Sequence, residues 1–465
     1  MKKRVIFIVV TALLCCLLVA CGSKTRLQAP QNIRQNGPFL IWDEVKNAEG
    51  YIVLADNEEY VTAEPSCNLS FLGGETVYVV KIKAVGDGEN FADSDWSEFG
   101  FNEIFKYTLL ADGSGYEVNL SVSSVELQDR KVVVPSTYEN LPVTRIADKM
   151  FYKCASLTEV VLPNTLKEIG ANAFYNCDAL ESIELPASVT AIGSGAFREC
   201  VALKKIVVPS GVECIAEEMF YECASLTEIV LSNTLKEIKR AAFAHCIALE
   251  SIELPESVTA IGSSAFSGCL SLKKIVVPDG IERIEGNMFG DCTSLTEVVL
   301  PSTLKEIRGM AFLGCIVLEN IELPESVTAI GSIAFGGCSS LKKIVVPTGV
   351  ERIEGSTFVG CSNLTEVVLP STLKEIMGMA FRNCEALKTV VLPSSLKDIG
   401  KGAFSNCPLE SVFFGGTEAE YLSVSVAEGN DSILSAAVYF YSETEPTENP
   451  QKFWRYSGGK PLPWA

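Results

Sequence analysis

The chain has 465 residues, of which 38 are basic, 58 are acidic and one is a histidine, so its net charge at neutral pH is −20. This balance argues against recognition of a nucleic-acid backbone, because no surplus of Lys and Arg is available to neutralise phosphates. One histidine disfavours triad and zinc-hydrolase chemistry. A hydrophobic fraction of 48% is typical of a folded protein, and the length allows several domains.

The first 20 residues predict an export signal. Residues 2–4 are basic, and residues 5–20 form an apolar run that is shorter than the ~20 residues of a membrane-spanning helix. The run ends in Leu-Val-Ala-Cys at 18–21, which resembles a bacterial lipobox. The resemblance implies that Cys21 is acylated and holds the exported protein on a membrane, since two acyl chains give durable attachment. An ordinary secretory signal and an uncleaved anchor are the alternatives.

After a linker at 21–29, residues 30–102 predict a small β-domain. Runs of alternating apolar side chains at 39–42, 50–54 and 78–84 lie between turns, a spacing typical of a β-sandwich. Trp42, the Gly-Tyr pair at 50–51 and the Asp-Ser-Asp-Trp-Ser segment at 93–97 resemble a fibronectin type III domain. The resemblance implies a spacer or a contact surface, not a catalyst.

A strict 23-residue period follows. Phe recurs at this step, at residues 151, 174, 197, 220, 243, 266, 289, 312, 335, 358, 381 and 404. Cys stands three residues after each Phe, at Cys154, Cys177, Cys200, Cys223, Cys246, Cys269, Cys292, Cys315, Cys338, Cys361, Cys384 and Cys407. A fixed period of this length predicts a solenoid of about twelve rungs at 151–407, each burying its apolar face against its neighbours.

Each unit carries a pattern of Phe, Cys, Leu, Val and Leu followed by Pro. In the first unit, Leu157, Val160 and Leu162 predict a strand that Pro163 ends, because proline has no N–H to pair. The pattern resembles the BspA-like (Treponema pallidum-type) leucine-rich repeat family. The resemblance extends to 103–150 as an N-terminal cap and to 408–465 as a C-terminal cap. The predicted fold is therefore mainly β with short turns and helical pieces.

The twelve repeated cysteines predict a buried ladder of thiols. Neighbouring rungs bring their Cα atoms to about 5 Å, within disulfide range, but parallel Cβ vectors are poor for the disulfide torsion. A line of thiols does not make a tetrahedral zinc site either. Cys is among the most buried residue types, so a structural role is favoured over disulfides, and both over a metal site. No cofactor is expected beyond the lipid on Cys21.

Outward positions of the predicted sheet form the candidate ligand face. It comprises Val161, Val207, Val230, Val276, Val299, Val345 and Val368, together with Lys204, Lys205, Lys273, Lys274, Lys342 and Lys343. A row of exposed valines is typical of a contact surface. Glutamates one rung before or after each lysine favour a second interpretation, in which the charges pair with one another across rungs. The two interpretations are compatible.

These features favour a non-enzymatic, lipid-anchored protein of the bacterial cell surface. Its solenoid face is expected to hold an extracellular protein or glycan, and membrane contact is expected through the lipid alone. The BspA-like resemblance implies attachment to a host or to neighbouring cells. An envelope scaffold associated with cell-wall glycan is the alternative. A hydrolase is the weakest hypothesis, because every pair of neighbouring glutamates recurs with the repeat, and nucleic acid is not an expected partner.

Overall fold

The computed structural model describes residues 24–36, 39–55, 58–69, 78–101, 105–121, 131–139 and 141–464. The predicted signal and Cys21 lie outside these described residues. The chain divides into two compact units, whose main boundary in the sequence falls between residues 102 and 103. In the described part of the chain, no helix combines the length and the apolar character needed to cross a membrane.

The first unit is built from short strands. In chain order they are β1 (Thr25–Arg26), β2 (Arg34–Asn36), β3 (Phe39–Ile41), β4 (Gly50–Ala55), β5 (Glu58–Thr62), β6 (Ser66–Asn68), β7 (Tyr78–Val85), β8 (Phe91–Ala92) and β9 (Ser97–Phe101). An antiparallel sheet has the order β5-β4-β7-β9, and a second sheet has the order β2-β3-β6. Strands β1 and β8 form a separate parallel pair.

The two larger sheets of the first unit contact each other through aromatic side chains. Trp42, which follows β3, packs edge-on against Tyr51 of β4, with 5.2 Å between ring centroids. The Tyr51 hydroxyl accepts a hydrogen bond from the backbone N–H of Val45 at 2.8 Å. Inward-facing Val53 and Ile82 are fully buried. Buried and half-buried side chains alternate over the last five residues of β4, as expected for a sheet with one more deeply covered face.

The second unit begins with a cap in front of the first full rung. Its strands are β10 (Phe105–Leu109), β11 (Tyr116–Leu120), β12 (Lys131–Val133), β13 (Thr137–Tyr138) and β14 (Leu141–Ile146). Strands β10 and β11 are antiparallel, whereas β11 and β14 are parallel. Tyr107 stacks on Tyr138 with 3.9 Å between ring centroids. The cap thus supplies a partner strand and an aromatic cover for the first rung.

Two short parallel strands recur along the solenoid. In chain order the repeat strands are β15 (Glu159–Val161), β16 (Glu168–Ile169), β17 (Ala191–Ile192), β18 (Lys205–Val207), β19 (Cys214–Ile215), β20 (Glu228–Val230), β21 (Glu237–Ile238), β22 (Ala260–Ile261), β23 (Lys274–Val276), β24 (Arg283–Ile284), β25 (Glu297–Val299), β26 (Glu306–Ile307), β27 (Ala329–Ile330), β28 (Lys343–Val345), β29 (Arg352–Ile353), β30 (Glu366–Val368), β31 (Glu375–Ile376), β32 (Thr389–Leu392) and β33 (Asp398–Ile399). We call β15, β18, β20, β23, β25, β28, β30 and β32 the front strands and the others the side strands.

Parallel pairing at a 23-residue offset stacks the rungs. On the front, Val207 lies opposite Val230, and on the side Ile238 lies opposite Ile261. The front ladder is interrupted at every third rung, where only isolated bridges such as Ser182 to Lys205 remain. Those rungs carry Glu184, Glu253 or Glu322 where the others carry Val, and Glu has a lower strand propensity than Val. The three-rung period of the sequence is therefore visible in the backbone.

A third wall, which we call the turn wall, carries the repeated Phe and Cys. Its backbone N–H groups donate to the next rung, as Phe151 does to Ala173 at 2.7 Å. Two residues per rung adopt left-handed backbone conformation, for example Asn172 (φ 53°) and Asn176 (φ 54°). Neighbouring Phe rings stack along the axis with centroids 5.1 to 5.8 Å apart. These rings are fully buried and form the spine of the core.

The C-terminal cap continues the front ladder beyond the last Phe. It contains β34 (Ser411–Phe414), α1 (Glu418–Leu422), β35 (Ser425–Val426), α2 (Asp431–Ser435), β36 (Ala437–Tyr441), a 3-10 helix (Pro450–Lys452), β37 (Phe453–Ser457) and β38 (Lys460–Pro463). Strands β32, β34, β36 and β37 pair in parallel, and antiparallel β38 closes the edge. The predicted fold class, a mainly β chain with a leucine-rich repeat solenoid of 23-residue period, is confirmed, and the caps extend it to about 14 turns.

Candidate binding face

The repeated thiols lie in the core. All twelve are buried, and the eleven from Cys177 to Cys407 form no disulfide. From Cys177 to Cys407, each sulfur donates a hydrogen bond to the carbonyl oxygen of the Phe one rung earlier, at 2.9 to 3.3 Å. Burial raises the pKa of Cys246 and of Cys361 to about 12. These two thiols are therefore protonated at neutral pH and are chemically quiet, whereas the hydrogen bond from Cys384 lowers the pKa of Cys407 at the C-terminal end of the ladder.

The predicted valines line the outer surface of the front strands. Side chains alternate along each strand, so that in Lys205–Val207 only the middle residue is buried. The seven valines retain 41 to 49% of their surface, although they flank a packed core. Register places six of them in adjacent couples, such as Val207 beside Val230 and Val276 beside Val299, and places Val161 beside Val133 of β12. The apolar row is thus a series of two-residue patches.

The six predicted lysines lie on the same surface, and each pairs with a glutamate one rung away. Lys204 contacts Glu181 at 2.7 Å, and Lys205 contacts Glu228 at 2.5 Å. The same two contacts recur, at 2.6 to 2.7 Å, in the pairs Lys273–Glu250, Lys274–Glu297, Lys342–Glu319 and Lys343–Glu366. All remain about half exposed, so each pair contributes about 0.2–1 kcal/mol. Pairing neutralises the six lysines and fixes them beside the valines, while Glu184, Glu253 and Glu322 add negative charge to the same row.

The repeated rung matches a known family. A family profile described as BspA type leucine rich repeat region matches residues 144–272, 213–328 and 305–423, together more than half of the chain. The chain belongs to the BspA-type leucine-rich repeat family. The matching profile accounts for the Phe and Cys spine, the front strands and the start of the C-terminal cap.

Solved structures resemble this BspA-type chain. A leucine-rich repeat protein from Bacteroides ovatus is 28% identical, over 76% of this chain and 98% of that one, with a TM-score of 0.49. A leucine rich cell surface protein from Faecalibacterium prausnitzii is 25% identical, over 70% and 97%, with a TM-score of 0.43. The T. pallidum leucine-rich repeat protein is 29% identical, over 51% and 88%, with a TM-score of 0.31. Among curated proteins, none matches the sequence.

The BspA-type rung also exposes a second apolar row, which the sequence reasoning missed. It is formed by the residue directly after the repeated Cys, where the turn wall leads into the front strand. Val201, Ile247, Leu270 and Ile316 retain 39 to 44% of their surface there. The row can be found in the sequence by aligning the rungs on the 23-residue period and comparing the residues directly after each Cys. It borders the front face on one side.

At its C-terminal end the row that holds the exposed valines continues into aromatic side chains, of which Phe413 is buried. Val391 takes the place where the three-rung pattern calls for Glu, and register then brings Phe413 and Tyr439 into the same row. Phe413 and Tyr439 stack with 5.2 Å between ring centroids. The buried Trp454 packs edge-on against Phe413, and its indole N–H donates to the carbonyl of Phe414 at 2.9 Å. The cap thus closes the row with aromatic rings.

The described residues show no cluster of side chains typical of a metal centre. No group of three or more His, Cys, Asp or Glu among them is placed to hold a metal ion. The histidine, His245, lies on the turn wall with a left-handed backbone (φ 61°), a conformation that Asn176 and Gly268 share at the equivalent position of their rungs. What the front face offers is a regular surface for contact.

Proposed function

We propose that this chain is a lipid-anchored surface protein that binds an extracellular partner, protein or glycan, through its front face. The observation that carries the proposal is the row of half-exposed valine couples beside fixed lysine–glutamate pairs. Apolar surface that stays exposed beside a large core is typical of contact surfaces. A solenoid offers such surface over a length that a compact domain does not.

Repetition of the face supports multivalent contact. The unit of two valines and two ion pairs recurs every three rungs, which is about 14 Å at ~4.8 Å per rung. A partner with its own repeats can engage several units at once, and linked contacts raise avidity without any new kind of contact. The lysines are already neutralised, so we expect binding to depend mainly on the valines and only weakly on salt.

Attachment of the chain to the membrane is the second part of the proposal. Without the three basic residues of the signal, the net charge is 35 − 58 = −23, which disfavours contact with anionic lipid headgroups. We therefore assign membrane attachment to acyl chains on Cys21. Metabolic labelling of cells with an alkyne-tagged fatty acid tests this assignment. Label should appear on the wild-type protein and be lost in Cys21→Ala, and label that persists in Cys21→Ala would contradict the assignment.

A capture experiment tests the front face. Purified protein comprising residues 22–465 is immobilised and exposed to host extracellular proteins, mucin-type glycans and bacterial wall fragments. A host partner should be retained, and the variant Val230→Ser/Val299→Ser should retain at least fivefold less. The matched control is Val61→Ser, because Val61 is 78% exposed but lies in the first unit. Capture of wall material alone would favour the alternative, a scaffold associated with cell-wall glycan.

A further inference from the structure

One region of the turn wall departs from the otherwise near-identical 69-residue copies. A cleft of about 270 Å³ opens there, and its lining includes Tyr221, Arg240, Ala244 and His245. The residues 69 positions later in the chain are Gly290, Gly309, Leu313 and Gly314. The core Phe and Cys positions are identical in the same copies. Large polar and aromatic side chains therefore surround this part of the turn wall, whereas glycines stand at the equivalent positions of the next copy.

Small side chains make the floor of this cleft. Ala244 is 2% exposed, Ala241 is 4% exposed and Ser267 is 7% exposed, so the floor lies at the level of the packed core. Leu313 occupies the equivalent of Ala244 in the next copy, and its Cδ1 lies over Gly336, the equivalent of Ser267. Met310, the equivalent of Ala241, is instead 44% exposed. The opening consequently depends on Ala244, not on the backbone, which has the same left-handed turns in both copies.

The walls of the cleft are held in place by contacts within the protein. The guanidinium carbon of Arg198 lies 4.5 Å from the ring centroid of Tyr221. Arg198 forms ion pairs with Glu199 and Glu218, and Arg240 contacts Glu218 at 2.8 Å. These side chains are ordered by one another before any ligand arrives, which lowers the entropic cost of binding.

Two further groups complete the lining. The amide of Asn287 donates to the hydroxyl of Ser267 at 3.0 Å. The rings of Tyr221 and His245 meet at 73° with 5.4 Å between centroids. The cleft thus combines fixed hydrogen-bonding groups of both polarities with two aromatic rings at its rim. A ligand that fits must carry several hydroxyl or amide groups on a compact frame that has an apolar face.

Charge narrows the class of ligand. Glu199, Glu217 and Glu218 oppose Arg198 and Arg240, and Glu217 also pairs with Arg240. The Tyr221 hydroxyl also donates to the Glu222 carboxylate, so the arginine and glutamate charges around the cleft sum to −2. Such a site disfavours phosphate, sulfate and carboxylate groups, because none of its cations is unopposed. We propose that the cleft binds a neutral pyranose ring of a glycan, with hydroxyls on the Arg, Glu and Asn groups and a C–H face toward Tyr221.

This cleft is separate from the front face, so the proposal does not depend on the function proposed above. The chain has a single histidine, whose imidazole Cε1–H gives a unique proton resonance beside the cleft. Protein comprising residues 22–465, prepared without a histidine tag, is titrated with methyl glycosides of glucose, galactose, mannose and N-acetylglucosamine, and with that of N-acetylneuraminic acid as the anionic comparison. At least one should shift the His245 resonance to saturation, with a Kd of about 1–10 mM, corresponding to weak single-ring binding.

Variants taken from the next copy of the repeat provide the controls. Ala244→Leu introduces the residue that Leu313 supplies there, and it should raise the Kd at least tenfold without lowering the melting temperature. Arg240→Gly, at an exposed position, should weaken binding at least fivefold. The reverse change, Leu313→Ala, is the matched control and should leave the Kd unchanged. The proposal is overturned if no neutral glycoside moves the resonance, if Ala244→Leu binds as wild type does, or if only the methyl glycoside of N-acetylneuraminic acid is bound.

Discussion

The thiol of Cys246 donates a hydrogen bond to the carbonyl oxygen of Phe220, one rung earlier, across 3.1 Å. The same oxygen accepts the backbone N–H of Cys223 at 3.2 Å. Each Phe carbonyl of the spine therefore has one donor from its own rung and one from the next. A buried carbonyl can accept two hydrogen bonds, and Cys supplies the second from a side chain small enough for the space. This explains why the position holds Cys and not an aliphatic residue.

Removal of this thiol should destabilise the solenoid. In Cys246→Ala the Phe220 carbonyl loses its second donor and a small void remains, so we expect a loss of about 1–2 kcal/mol. Cys246→Ser retains a donor and should lose less. The measurement is the urea midpoint followed by circular dichroism. Cys214→Ala, at a partly exposed thiol, is the control and should change the midpoint little. A Cys246→Ala protein more stable than Cys246→Ser would contradict the hydrogen-bond argument.

Thiol reagents should distinguish the ladder from the other cysteines. Residues 22–465 contain fourteen thiols, of which Cys67 and Cys214 are only half-buried. At pH 8 the native protein should release at most two equivalents of thionitrobenzoate from Ellman's reagent, since reaction needs an accessible thiolate. In 6 M guanidinium chloride all fourteen should react. Rapid reaction of more than two thiols in the folded protein would show that the ladder is open.

Alkaline pH should unfold the solenoid. In the unfolded chain the thiol of Cys246 ionises near its ordinary pKa of 9.0, whereas burial raises the folded pKa to about 12. Unfolding therefore releases a proton when the pH lies between 9 and 12. The contribution of the buried neutral thiol to the free energy of unfolding is complete below pH 9 and is lost as the pH rises to 12. Between pH 9 and 12, each thiol with such a shift lowers the free energy of unfolding by about 1.4 kcal/mol per pH unit. A urea midpoint that stays constant when the pH is raised from 9 to 11 would contradict this linkage.

Backbone strain is concentrated at Ile333. Its φ of 61° lies in the left-handed region, which is costly for a β-branched side chain. Asn172 and Asn287 adopt the same conformation at equivalent positions of other rungs. Ile333→Asn should therefore stabilise the protein by about 1 kcal/mol, measured as a higher urea midpoint. The matched change Asn172→Ile should lower the midpoint by a similar amount, and an unchanged midpoint in both would argue against strain.

The ion pairs of the front face should show reciprocal charge dependence. Lys274→Glu places a second carboxylate beside Glu297 and should cost about 0.5–1 kcal/mol. Combined with Glu297→Lys, it restores an opposite pair and should recover most of the loss. The double-mutant cycle is measured at low and at 1 M salt, where the coupling should shrink. A coupling energy of zero at low salt would show that the pairs contribute nothing to stability.

The 23-residue period of the sequence predicts much of the architecture. Phe151 and Cys154 and their repeats predict a stacked solenoid, because a side chain that recurs once per rung must meet its own copy. The outward direction of Val207 and the pairing of Lys205 with Glu228 follow from strand alternation and a one-rung register. The prediction of the leucine-rich repeat fold and of the BspA-type family is confirmed. The acylation of Cys21 stays a prediction, since that residue lies outside the described part of the chain.

What the tertiary structure alone decided are relationships between atoms that no period specifies. The sequence showed that Cys246 is repeated, but its donation to the carbonyl of Phe220 depends on the turn that places the sulfur over the previous rung. The cleft beside His245 likewise depends on which side chains fill the turn wall, since Ala244 opens a space that Leu313 closes on the same backbone. Periodicity determines which residues become neighbours, and packing and hydrogen-bond geometry determine what those neighbours do.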